Sequence, residues 1–202
     1  MDHYLASEGG KAEGRVWHSE LCNADGTNKG SHCEVIHTPD EFDYQFLSEE
    51  LHEDKAITFT VKAANDAHIG FFESNEDGTE PTLESAGGSV YEIVLSGWGG
   101  TQSVIRDRAA GETWGEGENH AVTDTTDFIS PTTYRHFWAS AANGIIRLGR
   151  GNVVGLNVLL QWQDPNAILD LRWVAVSTGW GSPGDWVVCL PEACAGWHDA
   201  LE

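Results

Sequence analysis

The stretch VYEIVLSGWGGTQSVIRDR, residues 90–108, decides the fold. Tyr91, Ile93 and Leu95 alternate with Glu92 and Val94, the period of two that places successive side chains on opposite faces of a strand. Gly99-Gly100 then supplies a turn, and TQSVIRDR sets Val104 and Arg106 on one side with Ile105 on the other. The two segments therefore read as the arms of an antiparallel hairpin. Pairing them brings Glu92 and Arg106 within reach of an ionic contact. That contact is either a structural salt bridge on the open face of a sheet or part of a polar binding patch, in which carboxylate, guanidinium and the nearby imidazole of His68 orient hydroxyl groups of a ligand.

The same alternation continues on both sides. KAITFTVKA (55–63) sets Ile57, Phe59 and Val61 against Thr58, Thr60 and Lys62, and AHIGFFES (67–74) follows as a second strand with His68 near its start. Further on, TYRHFWASA, GIIRLGRG, NVVGLNVLLQWQ and LRWVAVSTGW add short strands, with turns at Asn143-Gly144, Asp164-Pro165-Asn166 and Pro183-Gly184-Asp185. Asn-Gly between two such runs is a strong hairpin signal because both central residues of the favoured turn need positive φ. Upstream, Phe42, Tyr44 and Phe46 alternate and predict a strand with one aromatic face turned inward. The sum is eight or nine short strands with no trusted helical run. An all-β fold follows, a two-sheet antiparallel β-sandwich of jelly-roll type, with a closed barrel as its alternative.

Three zones are expected: an irregular acidic arm over 1–34, the sandwich over 35–190, and a tail over 191–202 ending in Leu201-Glu202, which reads as a vector remnant. The 202 residues carry 32 acidic and 11 basic side chains, a formal net charge of -21. Residues 1–54 hold thirteen acids and three bases, whereas 131–202 hold six and four. Nucleic acid binding needs cations to replace those condensed on the phosphates, so this charge argues against it. It argues equally against an anionic membrane surface, and no run of apolar residues is long enough to span a bilayer.

Cys22, Cys33, Cys189 and Cys194 form two close pairs along the chain. Sequential disulfides, each closing a short loop, are preferred among three pairings, and they place the protein outside the cell or in the secretory pathway. Free thiols and zinc are the alternatives, but Cys22 and Cys33 lie further apart than the ligand pairs of structural zinc sites. The acidic loop from Glu73 to Glu80 offers Asn75, Asp77 and Glu80 as oxygen ligands beside Gly78, so calcium is the one cofactor considered. A solvated loop explains the same residues. Asp40, Glu41 and Asp43 form a weaker cluster of the same kind.

Nine tryptophans are the strongest compositional signal after charge. Trp138, Trp162 and Trp173 lie within apolar strand patterns and read as core. Trp98, Trp114, Trp180 and Trp186 border glycine-rich turns, where an indole offers a flat apolar face with an N–H at its edge. A sugar ring asks for that surface beside polar neighbours. The residues expected at a ligand site are therefore His68, Glu92, Trp98, Arg106, Trp180 and Trp186. Gly149-Arg150-Gly151 lacks the strand-helix context of a dinucleotide loop and reads as a tight turn. Neither G-x-S-x-G nor H-E-x-x-H is present, and no residue is expected to be catalytic.

DAHIGFF (66–72), YEIVLSGWGGTQSVIRDR (91–108), FWASAANGIIRLGRG (137–151) and VAVSTGWGSPGDW (174–186) together resemble the domain family labelled farnesoic acid O-methyltransferase, over roughly residues 38–188. The resemblance implies a small β-sandwich module of animal proteins, some of them secreted, and a named methyl transfer. The positions that carry it over are His68, Glu92, Trp98, Arg106, Trp138 and Gly149. The leading functional expectation is an extracellular carbohydrate-recognition or related ligand-binding module, a lectin-like unit taking a glycan or small polar ligand with or without calcium. The alternatives are a protein-interaction module that forms homo-oligomers, and the methyltransferase that the family label suggests.

Overall fold

A computed structural model describes residues 32–75, 81, 89–109, 118–125 and 127–190. Twelve strands run in chain order: β1 (His32–Thr38), β2 (Gln45–Phe46), β3 (Ala56–Ala63), β4 (Ala67–Glu73), β5 (Val90–Ser96), β6 (Gln102–Arg108), β7 (Asn119–Asp124), β8 (Arg135–Ala142), β9 (Ile145–Arg150), β10 (Val158–Gln163), β11 (Leu171–Ser177) and β12 (Gly184–Leu190). They form two antiparallel six-stranded sheets, ordered β1-β12-β3-β8-β9-β10 and β2-β11-β4-β5-β6-β7. The two-sheet sandwich expected from the alternation is the observed fold.

The inward faces carry the predicted residues. Ile57, Phe59 and Val61 from β3 meet Ile69, Phe71, Tyr91, Ile93, Leu95 and Ile105 from the opposite sheet, all buried in one core. Burial of this kind supplies the main drive to fold, roughly 1.5–3 kcal/mol for each large apolar side chain. The Asn143-Gly144 turn joins β8 to β9 with φ of 53° and 72°, the left-handed pair that the dipeptide announces. Trp138 is fully buried and donates its indole N–H to the Leu156 carbonyl at 2.7 Å. Gly149 faces it across the register, and a Cβ there would lie 2.2 Å from the indole. Gly149 is thus a strand residue that makes room for a tryptophan; only Gly151, at φ 97°, has turn geometry.

Several expectations need correction. The sandwich begins at His32, three residues inside the expected arm, because β1 pairs along its whole length with β12. That pairing sets Cys33 opposite Cys189, and the two form a disulfide across 156 residues of chain. Sequential pairing of Cys22 with Cys33 and Cys189 with Cys194 is therefore wrong; Cys22 and Cys194 lie outside the described residues. Register between chain ends, invisible to spacing along the chain, selected the partner. Phe42, Tyr44 and Phe46 do not face the inter-sheet core. Only Gln45–Phe46 is strand, and the three rings pack with Phe72, Val90 and Ala175 on the outer face of the second sheet. The turn placed at Pro183-Gly184-Asp185 falls earlier, at Trp180-Gly181, and β12 already starts at Gly184.

Candidate functional site

The outer face of the second sheet is built by the residues that alternate with its core set. His68 and Gly70 of β4, Glu92 and Val94 of β5, and Val104 and Arg106 of β6 all fall on it, since their neighbours Ile69, Phe71, Ile93 and Ile105 point inward. Glu92 lies directly opposite Arg106 and opposite Gly70 in the two registers. Having no side chain, Gly70 leaves space for the Phe72 ring, which passes 2.3 Å from where a Cβ would stand.

Glu92 is 2% exposed and accepts three hydrogen bonds: from His68 Nδ1 at 2.7 Å, from Tyr44 Oη at 2.8 Å, and from Arg106 Nε at 2.5 Å. Burial alone would raise its pKa. The hydrogen bond and charge of His68, followed by those of Arg106, outweigh burial and hold the carboxyl down to about 2. Tyr44 is shifted the other way, well above the ordinary phenol value, first by burial and then by the Glu92 charge. The phenol therefore stays protonated and donates. The ionised Glu92 carboxylate can only accept, so the His68 Nδ1–H is the donor and Nε2 is left for another group. Nε2 is buried and has no hydrogen-bond partner among the described residues.

Three connections close over this cluster at one end of the sheet. Between β5 and β6, Gly97–Gly100 makes one irregular helical turn in which Trp98 has φ 52° and ψ 47°. Between β11 and β12, Trp180 also sits at φ 52°. A bulky aromatic residue at positive φ is a conformational outlier that the surrounding structure must hold in place. Carboxylates do the holding. Asp66, in the β3–β4 connection, accepts from the backbone N–H groups of Trp98 and Gly99. Asp40 Oδ1 accepts from those of Gly181 and Ser182 at 2.7 and 3.1 Å. Burial pushes the Asp66 carboxyl above its usual range, against the opposing influence of His68 and the two amides.

The result is a cavity of about 340 Å³ lined by Asp66, His68, Val94, Trp98, Gly99, Arg106 and Trp180. Its two tryptophans are 50% and 63% exposed, in chain order. They are not equivalent. Trp180 stacks on His68 with 5.2 Å between ring centroids and contacts Phe42 at 5.2 Å, whereas Trp98 stacks on no ring among the described residues. One indole is therefore a wall that steadies the imidazole, and the other stands half exposed at the cavity.

The structure thus gathers His68, Glu92, Trp98, Arg106 and Trp180, five of the six residues expected at a ligand site. Trp186 is the exception and is corrected: it is fully buried and donates its indole N–H to Thr38 Oγ1 at 2.9 Å. Its place beside a glycine turn in sequence concealed its inward register on β12. Of the expected calcium ligands, Asn75 is described, while Asp77 and Glu80 lie outside the described residues, as does Trp114. Among the described residues no three metal-ligating side chains cluster together. Asp40, of the weaker acidic cluster, caps the turn at Gly181 and Ser182. Trp162 and Trp173 are half-buried at the sandwich margins. Asp66, Tyr44 and Phe42 are site residues that pattern reading missed. Asn65-Asp66 before a strand was a readable turn signal, whereas nothing local to Tyr44 or Phe42 indicated packing onto an outer sheet face.

The farnesoic acid O-methyltransferase family profile matches residues 40–192. The chain belongs to this family. No curated protein matches it significantly. Among solved structures, a Bacillus subtilis protein of unknown function with a galectin-like fold aligns at a TM-score of 0.51 and 9% identity, covering 89% of this chain and 98% of the other. A Caenorhabditis elegans galectin, LEC-6, aligns at 0.47 and 6% identity over 77% and 94% of the two chains. A Bacillus licheniformis β-glucanase aligns at 0.47 and 11% over 95% and 91%. The first of these likenesses agrees with the sandwich architecture of this family member.

Proposed function

We propose that the chain is an extracellular carbohydrate-recognition module whose ligand site is the cavity between Trp98 and Trp180. The observation that carries this reading is the half-exposed indole of Trp98 in one cavity with the Arg106 side chain and with His68, whose buried Nε2 has no hydrogen-bond partner among the described residues. A sugar presents C–H groups that pack on an aromatic face and hydroxyls that both donate and accept. Arg106 can donate to a hydroxyl oxygen, and that hydroxyl or its neighbour can donate to Nε2 of His68. Both protein groups are held before binding, His68 between Glu92 and Trp180 and Arg106 against Glu92, so little ordering cost falls on the complex. The cavity volume lies at the lower end of the range for small-ligand sites, suiting a terminal one- or two-ring sugar.

The family description names methyl transfer to farnesoic acid, an isoprenoid chain ending in a carboxyl group. Val94 is the sole aliphatic residue among those lining the cavity, and the arginine there is already matched to Glu92. This lining favours a hydroxylated ligand over an apolar chain. Secretion is supported by the Cys33–Cys189 disulfide, a bond that persists in oxidising compartments. Among the described residues no helix is long and apolar enough to cross a membrane.

The test is an immobilised glycan panel, read with and without calcium, followed by titration of tryptophan fluorescence with each binder. Trp98→Ala should abolish binding, and Tyr134→Ala, an exposed aromatic outside the cavity lining, should leave it unchanged. Absence of any glycan binding, or equal binding by Trp98→Ala, overturns the reading.

A further inference from the structure

The charges around the cavity specify the class of sugar it accepts. Arg106 is the one arginine or lysine in its lining, and its side chain is 12% exposed and already ion-paired with Glu92. Asp66 adds a carboxyl group to the lining itself. The segment that backs Trp180 is acidic as well. Phe42 touches both Trp180 and His68, with ring centroids 5.2 and 5.1 Å away, and Gly179 packs against the backbone of Glu41 and Phe42. Asp40, Glu41 and Asp43 flank that phenylalanine and are exposed. Asp40 is joined to the Trp180 turn by its two amide hydrogen bonds. A ligand entering between the tryptophans therefore meets one neutralised cation and a collar of carboxylates, on a chain whose net charge is already -21.

Resting on the carbohydrate reading above, we infer that the cavity takes uncharged sugars and excludes those bearing carboxylate or sulfate. The excluded ligands are sialylated, sulfated or uronic-acid glycans. Two independent features produce the selectivity. Inside, a bound anion would need a free cation to replace its water, and the Glu92 carboxylate already occupies Arg106 Nε. Outside, the collar repels an anion during approach, an effect that acts over about a Debye length and weakens with salt. The Nδ1–H of His68 offers an anion no free donor, because it is committed to Glu92.

The experiment uses the full chain against a panel in which each neutral oligosaccharide is paired with its sialylated, sulfated or uronic-acid counterpart. Neutral members should bind, and their acidic counterparts should bind at least roughly tenfold more weakly at low salt, the discrimination expected of a few like charges at close range. Raising the salt, or the double substitution Glu41→Gln with Asp43→Asn, should narrow that gap while leaving neutral binding unchanged. Neither residue lines the cavity, and Asp40 is left intact to cap the Trp180 turn. Equal or tighter binding of the acidic counterparts overturns this inference and leaves the carbohydrate reading standing. A gap that neither salt nor the double variant narrows overturns the electrostatic collar. Failure of every panel member to bind overturns the carbohydrate reading, and this inference falls with it.

Discussion

The imidazole of His68 lies against the indole of Trp180, centroids 5.2 Å apart and planes 25° from parallel, while its Nδ1 is bonded to Glu92. These residues come from β4, the β11–β12 connection and β5, so one ring is fixed by two distant parts of the chain. Its remaining nitrogen is consequently held in position at the cavity.

The two exposed tryptophans should separate by substitution. Trp98→Gly should leave stability within about 1 kcal/mol of the parent, because relief of the left-handed backbone offsets loss of a half-exposed indole, and should remove the ligand response. Trp180→Gly should also uncover His68, detected as a changed imidazole chemical shift without ligand. Trp186→Ala should cost about 3–5 kcal/mol in urea unfolding, the range for a large buried aromatic, since it removes a core ring and its bond to Thr38. A small loss for Trp186→Ala would contradict its buried position.

Glu92 makes stability depend on pH in acid. Its folded pKa lies below the ordinary value of 4.5, at about 2, so the folded state binds fewer protons there than the unfolded chain. The contribution is complete above pH 4.5 and is lost as pH falls toward 2, a change on the order of a few kcal/mol. Urea unfolding at steps between pH 5 and pH 2.5 should show a steeper fall for the parent than for Glu92→Gln. Parallel curves for the two proteins would show that Glu92 is not the group responsible.

Gly149→Ala should destabilise by about 1–3 kcal/mol, the usual effect of overpacking, because the new methyl meets the Trp138 indole at 2.2 Å. Gly149→Ala combined with Trp138→Phe should be less damaging than the two separate losses added together. Additive losses in thermal unfolding would show that the two positions do not share this space.

Peptide mapping without reduction should recover a fragment joining Cys33 to Cys189. Replacing both with serine should lower stability by up to about 5 kcal/mol if the chain-entropy account of a 156-residue separation holds. Fragments joining Cys33 to Cys22 would show that β1 and β12 are not bridged.

Much of the site was legible because strand alternation is a local property. Once residues 90–108 are a hairpin, Glu92 and Arg106 share a face and a register, and the ion pair follows with no distant information. Trp98 was recognisable for a related reason, since glycines beside it mark a turn. The same cue failed for Trp186: Gly184 begins β12 instead of ending a loop, and the strand turns that indole inward.

The amino-acid sequence by itself determined the sheet class, the alternating sets of β3, β5 and β6, and the hairpin turn at Asn143-Gly144, because each depends on a period of two or on local φ. Tertiary structure decided what depends on which distant strands become neighbours. It paired Cys33 with Cys189 through the β1–β12 register, laid Phe42, Tyr44 and Phe46 on an outer face, and brought Trp180 over His68 across more than half the chain. Residue spacing carries no record of such neighbours, since they are chosen by the burial and hydrogen bonding of the whole sandwich at once.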